Sequence, residues 1–471
     1  MTNSFQLKLL AAAIGTLLLT GCGDAETTIV EQDPIETPDD DHDHDDDHDH
    51  DDDDHDDGDF IIESLGRLAV LSGDSPSLSV IDLDDGEALD AFSLTNESNA
   101  LSASPGFRYA VITSRSQDSV SFVDGGLWRE DHVEHLHDYE EAPMMSDYTL
   151  TGSRPTHVDS HEGHMAVFFD GNADAGLPAE VQVVTDNDIT SESDAVPTVN
   201  YTVNMHGVAK PRGEHLLATV RRDDAESTST NKVLPDQIGV YHLHDGEYEQ
   251  EQVLEVACPD LHGAAQNHEF VAFGCSDGVL VAHEHDDEYE AEKIANIDAV
   301  GDMRIGTLYG HEGSETFIGV ASGHGGGAAV LVSVNPEENE MEALEWQPEE
   351  GADPVSYAFS HEGDHFLVLD SAGHLNVLSA HEHDGHMHWE LEGQLEITEQ
   401  DVSAMPEGMS FSMTVAQNGH YVYVADPIAQ HVLQIDVEDM EITSDMELDF
   451  APDSITWLGI AEEAEHDHDH D

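Results

Sequence analysis

From Phe60 to about Ala461, apolar residues fall in short alternating runs broken by Gly, Asp, Asn and Pro, a period-two pattern that predicts strands and hairpins with almost no helix. One phrase recurs: a tight turn ending in Gly or Asn, then a strongly apolar strand. Ser104-Pro105-Gly106 precedes Tyr109–Ile112, Ser160-His161-Glu162-Gly163 precedes Met165–Phe168, and Ser360-His361-Glu362-Gly363 precedes another such strand. The turn residues Gly106, Gly163, Gly213, Asn267, Gly313, Gly363 and Gly419 recur about every fifty positions. Units of that length, each too small to bury its own faces, must stack around an axis, so the expected fold is an all-β propeller.

Seven turns account for seven blades. An eighth is expected from the chain ends, where Leu68–Leu71 and Leu78–Ile81 resemble middle strands lacking a first strand and Ile455–Ile460 is a strand left over. Pairing the two ends closes the ring, and Phe60–Ala461 divided by eight again gives about fifty residues a blade. Seven blades is the alternative.

Charge adds a partner class. Thirteen Lys and Arg stand against 103 Asp and Glu, a net charge of -90, which excludes nucleic acid and anionic membrane surfaces and favours cations. Adaptation to high salt also produces such acidity. It does not call for 33 histidines.

The acidity and the histidines coincide outside the propeller. The tract Asp39–Asp59 carries His42, His44, His48, His50 and His55, each flanked by Asp, and residues 462–471 repeat the chemistry. Imidazole suits zinc, copper and nickel, whereas carboxylate alone suits calcium or magnesium, so the mixture points to Zn2+, with Cu2+ or Ni2+ as alternatives. A solvated acidic spacer is the other reading.

Residues 1–21 have the form of a lipoprotein signal peptide: Lys8, the apolar run Leu9–Leu19, then Leu19-Thr20-Gly21-Cys22. The run is too short to span a bilayer, and a lipidated Cys22 is the expected new terminus. Gly23 after the cysteine favours the outer membrane in a Gram-negative cell. The expected mature protein is a periplasmic monomer held by its lipid, with residues 22–59 as linker, 60–461 as propeller and 462–471 as tail. Cys258 and Cys275 remain, and an oxidising compartment makes them a disulfide, with a Cys/His zinc site using His262 as the alternative.

Repeat alignment sorts the remaining histidines. His161, His311 and His361 precede the turn glycines and are expected in exposed turns. His135/His137, His242/His244, His283/His285 and His381/His383 are His-x-His pairs in late hairpins; residues two apart on a strand share a face, so each could hold an ion weakly. His157, His206 and His262 occupy one repeat position, on the channel-lining first strand, in three successive blades; later blades carry Thr307, Tyr357 and Met413 there. Three converging imidazoles plus one exchangeable ligand make a tetrahedral zinc site, with Asp159 expected as fourth ligand or outer hydrogen-bond partner. Because histidine binds metal only when neutral, uptake should weaken below about pH 6.5.

With its Asp/His tract, propeller period, and Pro155-Thr156-His157, His206-Gly207-Val208-Ala209 and Leu261-His262-Gly263 phrases, the chain resembles the AztD-type periplasmic zinc metallochaperones. The likeness covers most of Phe60–Ala461 and includes Cys258-Pro259 and Phe273-Gly274-Cys275. It implies a propeller that holds zinc and passes it to the solute-binding protein of a zinc ABC importer, helped by a His-rich arm. The lipobox departs from a freely diffusing carrier. Two other classes stay open: a metal-dependent propeller hydrolase or lactonase, for which the channel positions supply no carboxylate pair or Ser/His/Asp set, and an adhesion or scaffold lipoprotein in which the tract only solubilises.

Overall fold

In the computed structural model the described residues are 60–462, apart from 99, 134, 222–233, 286–287, 324–328 and 384–385. They form eight four-stranded antiparallel sheets, the blades of a β-propeller, with one short α-helix at Asp186–Thr190. Each of the seven repeated turns joins the inner strand of a blade to its second strand. The period in the sequence is therefore the blade itself.

The chain ends supply the remaining blade, counted here as blade one, so that the sheet beginning at Ala100 is blade two. Pro452–Leu458 is its inner strand and pairs antiparallel with Arg67–Ser72, in the register Arg67↔Leu458 to Leu71↔Ser454, followed by Ser77–Asp82 and Ala88–Ser93. Trp457 locks the closure: it is 1 % exposed, and its Nε1 donates to Leu65 O at 2.9 Å. Core packing lies between neighbouring blades, because each sheet buries both faces. Leu217, Ile238, Val271, Phe273 and Leu280, for example, fill the space between blades four and five, and each such side chain contributes on the order of 1.5–3 kcal/mol on burial.

Strand direction sets two rims. Inner strands start at one rim, here called the first, and turn back at the second. The hairpins joining third to fourth strands also lie at the second rim. Blade two has an extra hairpin at that junction, Leu127–Asp131 paired with Leu136–Glu140. Phe60, the first described residue, docks on it: Phe60 N donates to Leu136 O and Asp138 N to Phe60 O, each at 2.9 Å.

At the second rim, turn residues crowd around the channel mouth, and this overturns one expectation. His161 is buried, with Nδ1 3.1 Å from Glu312 Oε1 and Nε2 3.4 Å from Arg212 Nη1.

In blade seven, His365 Nδ1 lies 2.8 Å from Asp364 Oδ1 and its Nε2 3.1 Å from Glu392 Oε2. Hydrogen bonding to Asp364 raises the imidazole's pKa against the opposing effect of burial; the His365 hydrogen bond holds the Asp364 carboxyl low, and the Ser379 hydroxyl, with His365 adding to it, holds Glu392 low. A raised imidazole stabilises the fold fully below about pH 6.5 and loses that contribution as pH rises through its folded value. The carboxylates contribute above their ordinary range and lose it on acidification. His365→Gln should therefore lower the melting temperature more at pH 6 than at pH 9; equal losses at both would show the pair to be neutral.

Candidate metal centre

The three successive blades bring His157, His206 and His262 together near the first rim. His157 sits in the inner strand Pro155–His161, while His206 and His262 lie just before the short inner strands Ala209–Arg212 and Ala264–Gln266. A β-bulge aims the first of them: pairing jumps from Pro155↔Phe169 to His157↔Phe168, leaving Thr156 out of the ladder. The same bulge recurs in blade six at Gly306, and there it turns a carbonyl toward the site.

His206 is the hub. Its Nε2 is 3.2 Å from His157 Nε2 and 3.2 Å from His262 Nε2. Two nitrogens bound to one tetrahedral zinc, each 2.0–2.1 Å from it, stand about 3.3–3.4 Å apart, so both pairs already have ligand spacing. The outer rings are farther from each other, 6.2 Å between centroids and edge-on, so closing all three around one ion requires a small rotation of His157 or His262.

The outer hydrogen bonds fix which nitrogen faces the centre. His206 Nδ1 lies 3.1 and 3.2 Å from the two oxygens of Asp170, and His262 Nδ1 lies 2.8 Å from Gly306 O. A carboxylate and a carbonyl only accept from these rings, so each neutral ring carries its proton on Nδ1 and directs an Nε2 lone pair inward. Two lone pairs facing at 3.2 Å repel. A cation between them removes the repulsion.

Asp170 follows Phe168-Phe169 at the end of a second strand, is buried, and is also bound by Arg115 Nη2 at 3.0 Å. Its backbone carbonyl accepts from Met205 N at 3.0 Å, so one residue holds both the ring of His206 and the chain leading into it. Asp159, expected beside the metal, is instead ion-paired with the buried Lys210. Its function is to neutralise a lysine in the channel wall; the carboxylate that meets a site imidazole is Asp170.

Burial pushes the His157 imidazole down to about 4, helped by the neighbouring His206 and partly opposed by Asp170. Burial also lowers His262, against the Gly306 hydrogen bond. His157 thus stays neutral well below pH 6.5, and proton competition at that ring begins at greater acidity than an ordinary histidine would show.

Gly263 has a φ of +79°, and a Cβ there would stand 2.5 Å from Gly306 O, the atom that orients His262. Gly263→Ala should cost about 1–2 kcal/mol for the left-handed backbone alone, with zinc affinity falling alongside because the carbonyl must move. Thermal melts paired with zinc competition check this; a variant that melts and binds as the parent does would remove Gly263 from the site.

Cys258 and Cys275 form a disulfide, with Cα atoms 5.0 Å apart, so the Cys/His alternative gives way. The remaining expected ligands are dispersed. His283 packs against Phe270 with centroids 5.0 Å apart, His285 stands opposite Glu288, and exposed His381 stands opposite His388, which is 2.8 Å from Glu342. The side chain of His383, the tract histidines His42, His44, His48, His50 and His55, and Cys22 lie outside the described residues.

No family model matches the chain. Among curated proteins it is 24% identical over 417 residues to the zinc chaperone AztD of Citrobacter koseri, a match covering 86% of this chain and 89% of that protein. The crystal structure of Citrobacter koseri AztD superposes with a TM-score of 0.68 at 22% identity, covering 85% of this chain and 99% of that one. Apo AztD from the same organism gives 0.66 at 22%, covering 83% and 97%. The dihydro-heme d1 dehydrogenase NirN in complex with DHE gives 0.53 at 11%, covering 85% and 76%, a likeness of fold alone. By sequence over most of its length and by propeller fold, the chain is similar to the AztD-type zinc chaperones.

Proposed function

We propose that this protein is an exported zinc metallochaperone. It captures Zn2+ with the Asp/His tract, holds it among His157, His206 and His262, and passes it to the solute-binding protein of a zinc ABC importer. The observation that carries the reading is the pair of Nε2 atoms of His206 and His262, 3.2 Å apart, with both Nδ1 atoms already engaged. The relative's printed identity as a zinc chaperone supports the choice of metal. Three imidazoles leave a fourth coordination position for a partner's ligand, so release can proceed through a shared intermediate.

The tract's many weak ligands raise the local zinc concentration by multivalency. Lipidation at Cys22 would confine the carrier to the periplasmic face of a membrane, the outer one by the residue that follows. Labelling with a radioactive fatty acid in cells, lost on Cys22→Ala, tests that placement.

The decisive experiment mixes zinc-loaded full-length protein with the solute-binding protein in excess chelator. Zinc should appear on the partner without passing through the chelator. Complete capture by the chelator would sink direct transfer.

A further inference from the structure

We propose that His242, His244 and Glu251, on the outer hairpin of blade four, form a second binding site for a borderline divalent cation, zinc foremost, at the rim opposite the channel triad. The proposal stands whether or not the protein delivers metal to a partner.

Local structure sets the ligands. Strands Gln237–His244 and Glu247–Val253 are joined by Asp245-Gly246, both left-handed with φ of 49° and 87°. Such two-residue turns pin hairpin register, here His244↔Glu247 and His242↔Glu249. His242 and His244 therefore share one face, with ring centroids 4.2 Å apart. Pairing then slips between Val240 and Tyr241, leaving Glu251 as the extra residue of a bulge. Its carboxylate lies 3.6 Å from His242 Nδ1 and 3.0 Å from His244 Nε2. One ligand atom from each residue falls within 4.8 Å of the other two.

The donor set chooses the ion. Two imidazoles and one carboxylate suit zinc and its neighbours, and three protein ligands leave a position open. Neighbouring side chains back the ligands as well. His215 stands across from His242 with centroids 4.7 Å apart, its Nδ1 is 3.7 Å from Glu284 Oε1, and Tyr289 donates to Glu284 Oε2 at 2.9 Å. His215 thus packs on the ring of His242 from the side of the protein and restricts its rotation.

Placement separates the two sites. His206 precedes the inner strand of blade four, at the first rim, whereas the turn at Asp245-Gly246 joins its third strand to its fourth, at the second. Phe60, which follows the Asp/His tract directly in sequence, is fixed on the blade-two hairpin at that same second rim. The exposed site can exchange its ion with solvent without entering the channel.

The test is zinc titration of the full-length protein with histidine-directed carbethoxylation, read residue by residue by mass spectrometry. His242 and His244 should become protected together. Glu251→Gln should raise the zinc needed for half protection at least about tenfold, with its thermal melt verifying the fold, while His206→Gln should leave that protection unchanged. Absence of protection at His242 and His244, or an unshifted midpoint in Glu251→Gln, would reduce the cluster to an ordinary surface ion pair. Loss of protection in His206→Gln would show that the second site does not bind on its own.

Discussion

Replacing His206 with glutamine should abolish the tight component of zinc binding while the weak component carried by the Asp/His tract persists. Only His206 has Nε2 within 3.2 Å of both other imidazoles, so removing it leaves His157 and His262 with centroids 6.2 Å apart and no close nitrogen pair. The affinity loss should reach at least about 100-fold, or about 2.7 kcal/mol. Removing His157 or His262 leaves one pair at ligand spacing and should cost less. Asp170→Asn should fall in the range of about 10–100-fold expected of an outer partner, since the ring keeps its place but loses the charge that orients it. Competition against a chromogenic chelator on the full-length variants orders the four. If His206→Gln retains the parent's sub-micromolar binding, the triad is not the tight site.

The fold was legible because a propeller repeats its instructions. Seven turns in register, and two orphan strand sets at the ends, favoured an eighth blade over the seven-blade alternative, and the pairing of Leu68 with Trp457 is that closure. The three imidazoles were legible for the same reason, as departures from a repeat whose later copies carry Thr307, Tyr357 and Met413. What surrounds them was not. Asp170 directly follows its second strand, while Asp370 and Asp426 are the last residues of theirs, and those two cap turns by accepting from Ala372 N and Ile428 N. A repeated aspartate at a strand end therefore looks like turn chemistry, and nothing in the sequence tells which copy faces a histidine. Asp159 misled by proximity: two residues from His157 on the same strand, it is drawn to Lys210 of the next blade, a contact set by ring packing. The carbonyl of Gly306 carries no sequence signal, since its direction comes from a bulge. The His-x-His pairs looked alike in sequence, yet only a bulge at Glu251 gives the His242 pair its carboxylate.

Removing the disulfide should cost both stability and zinc affinity, because the loop it closes contains His262. The two cysteines are 17 residues apart, and cross-linking a loop of about that length restricts the unfolded chain by roughly 3 kcal/mol. Within the loop, His262 N donates to Gly274 O at 3.0 Å and Gly274 N to Gly263 O at 3.1 Å, so the residue before Cys275 holds the ligand's backbone on both sides. Both sulfurs are fully buried among Val271, Phe273 and Leu280, so the pair Cys258→Ala and Cys275→Ala leaves that packing largely apolar and isolates the loss of the cross-link. The denaturation midpoint should fall and the slope should rise, because the freed unfolded chain is less compact and exposes more surface. Zinc affinity should fall by less than in His206→Gln, because the backbone bonds to Gly274 persist while the native state holds. A reductant should reproduce both effects in the parent protein and neither in the double variant. If the variant loses stability but binds zinc as the parent does, the cross-link serves the fold alone, and the position of His262 rests on Gly263, Gly274 and Gly306.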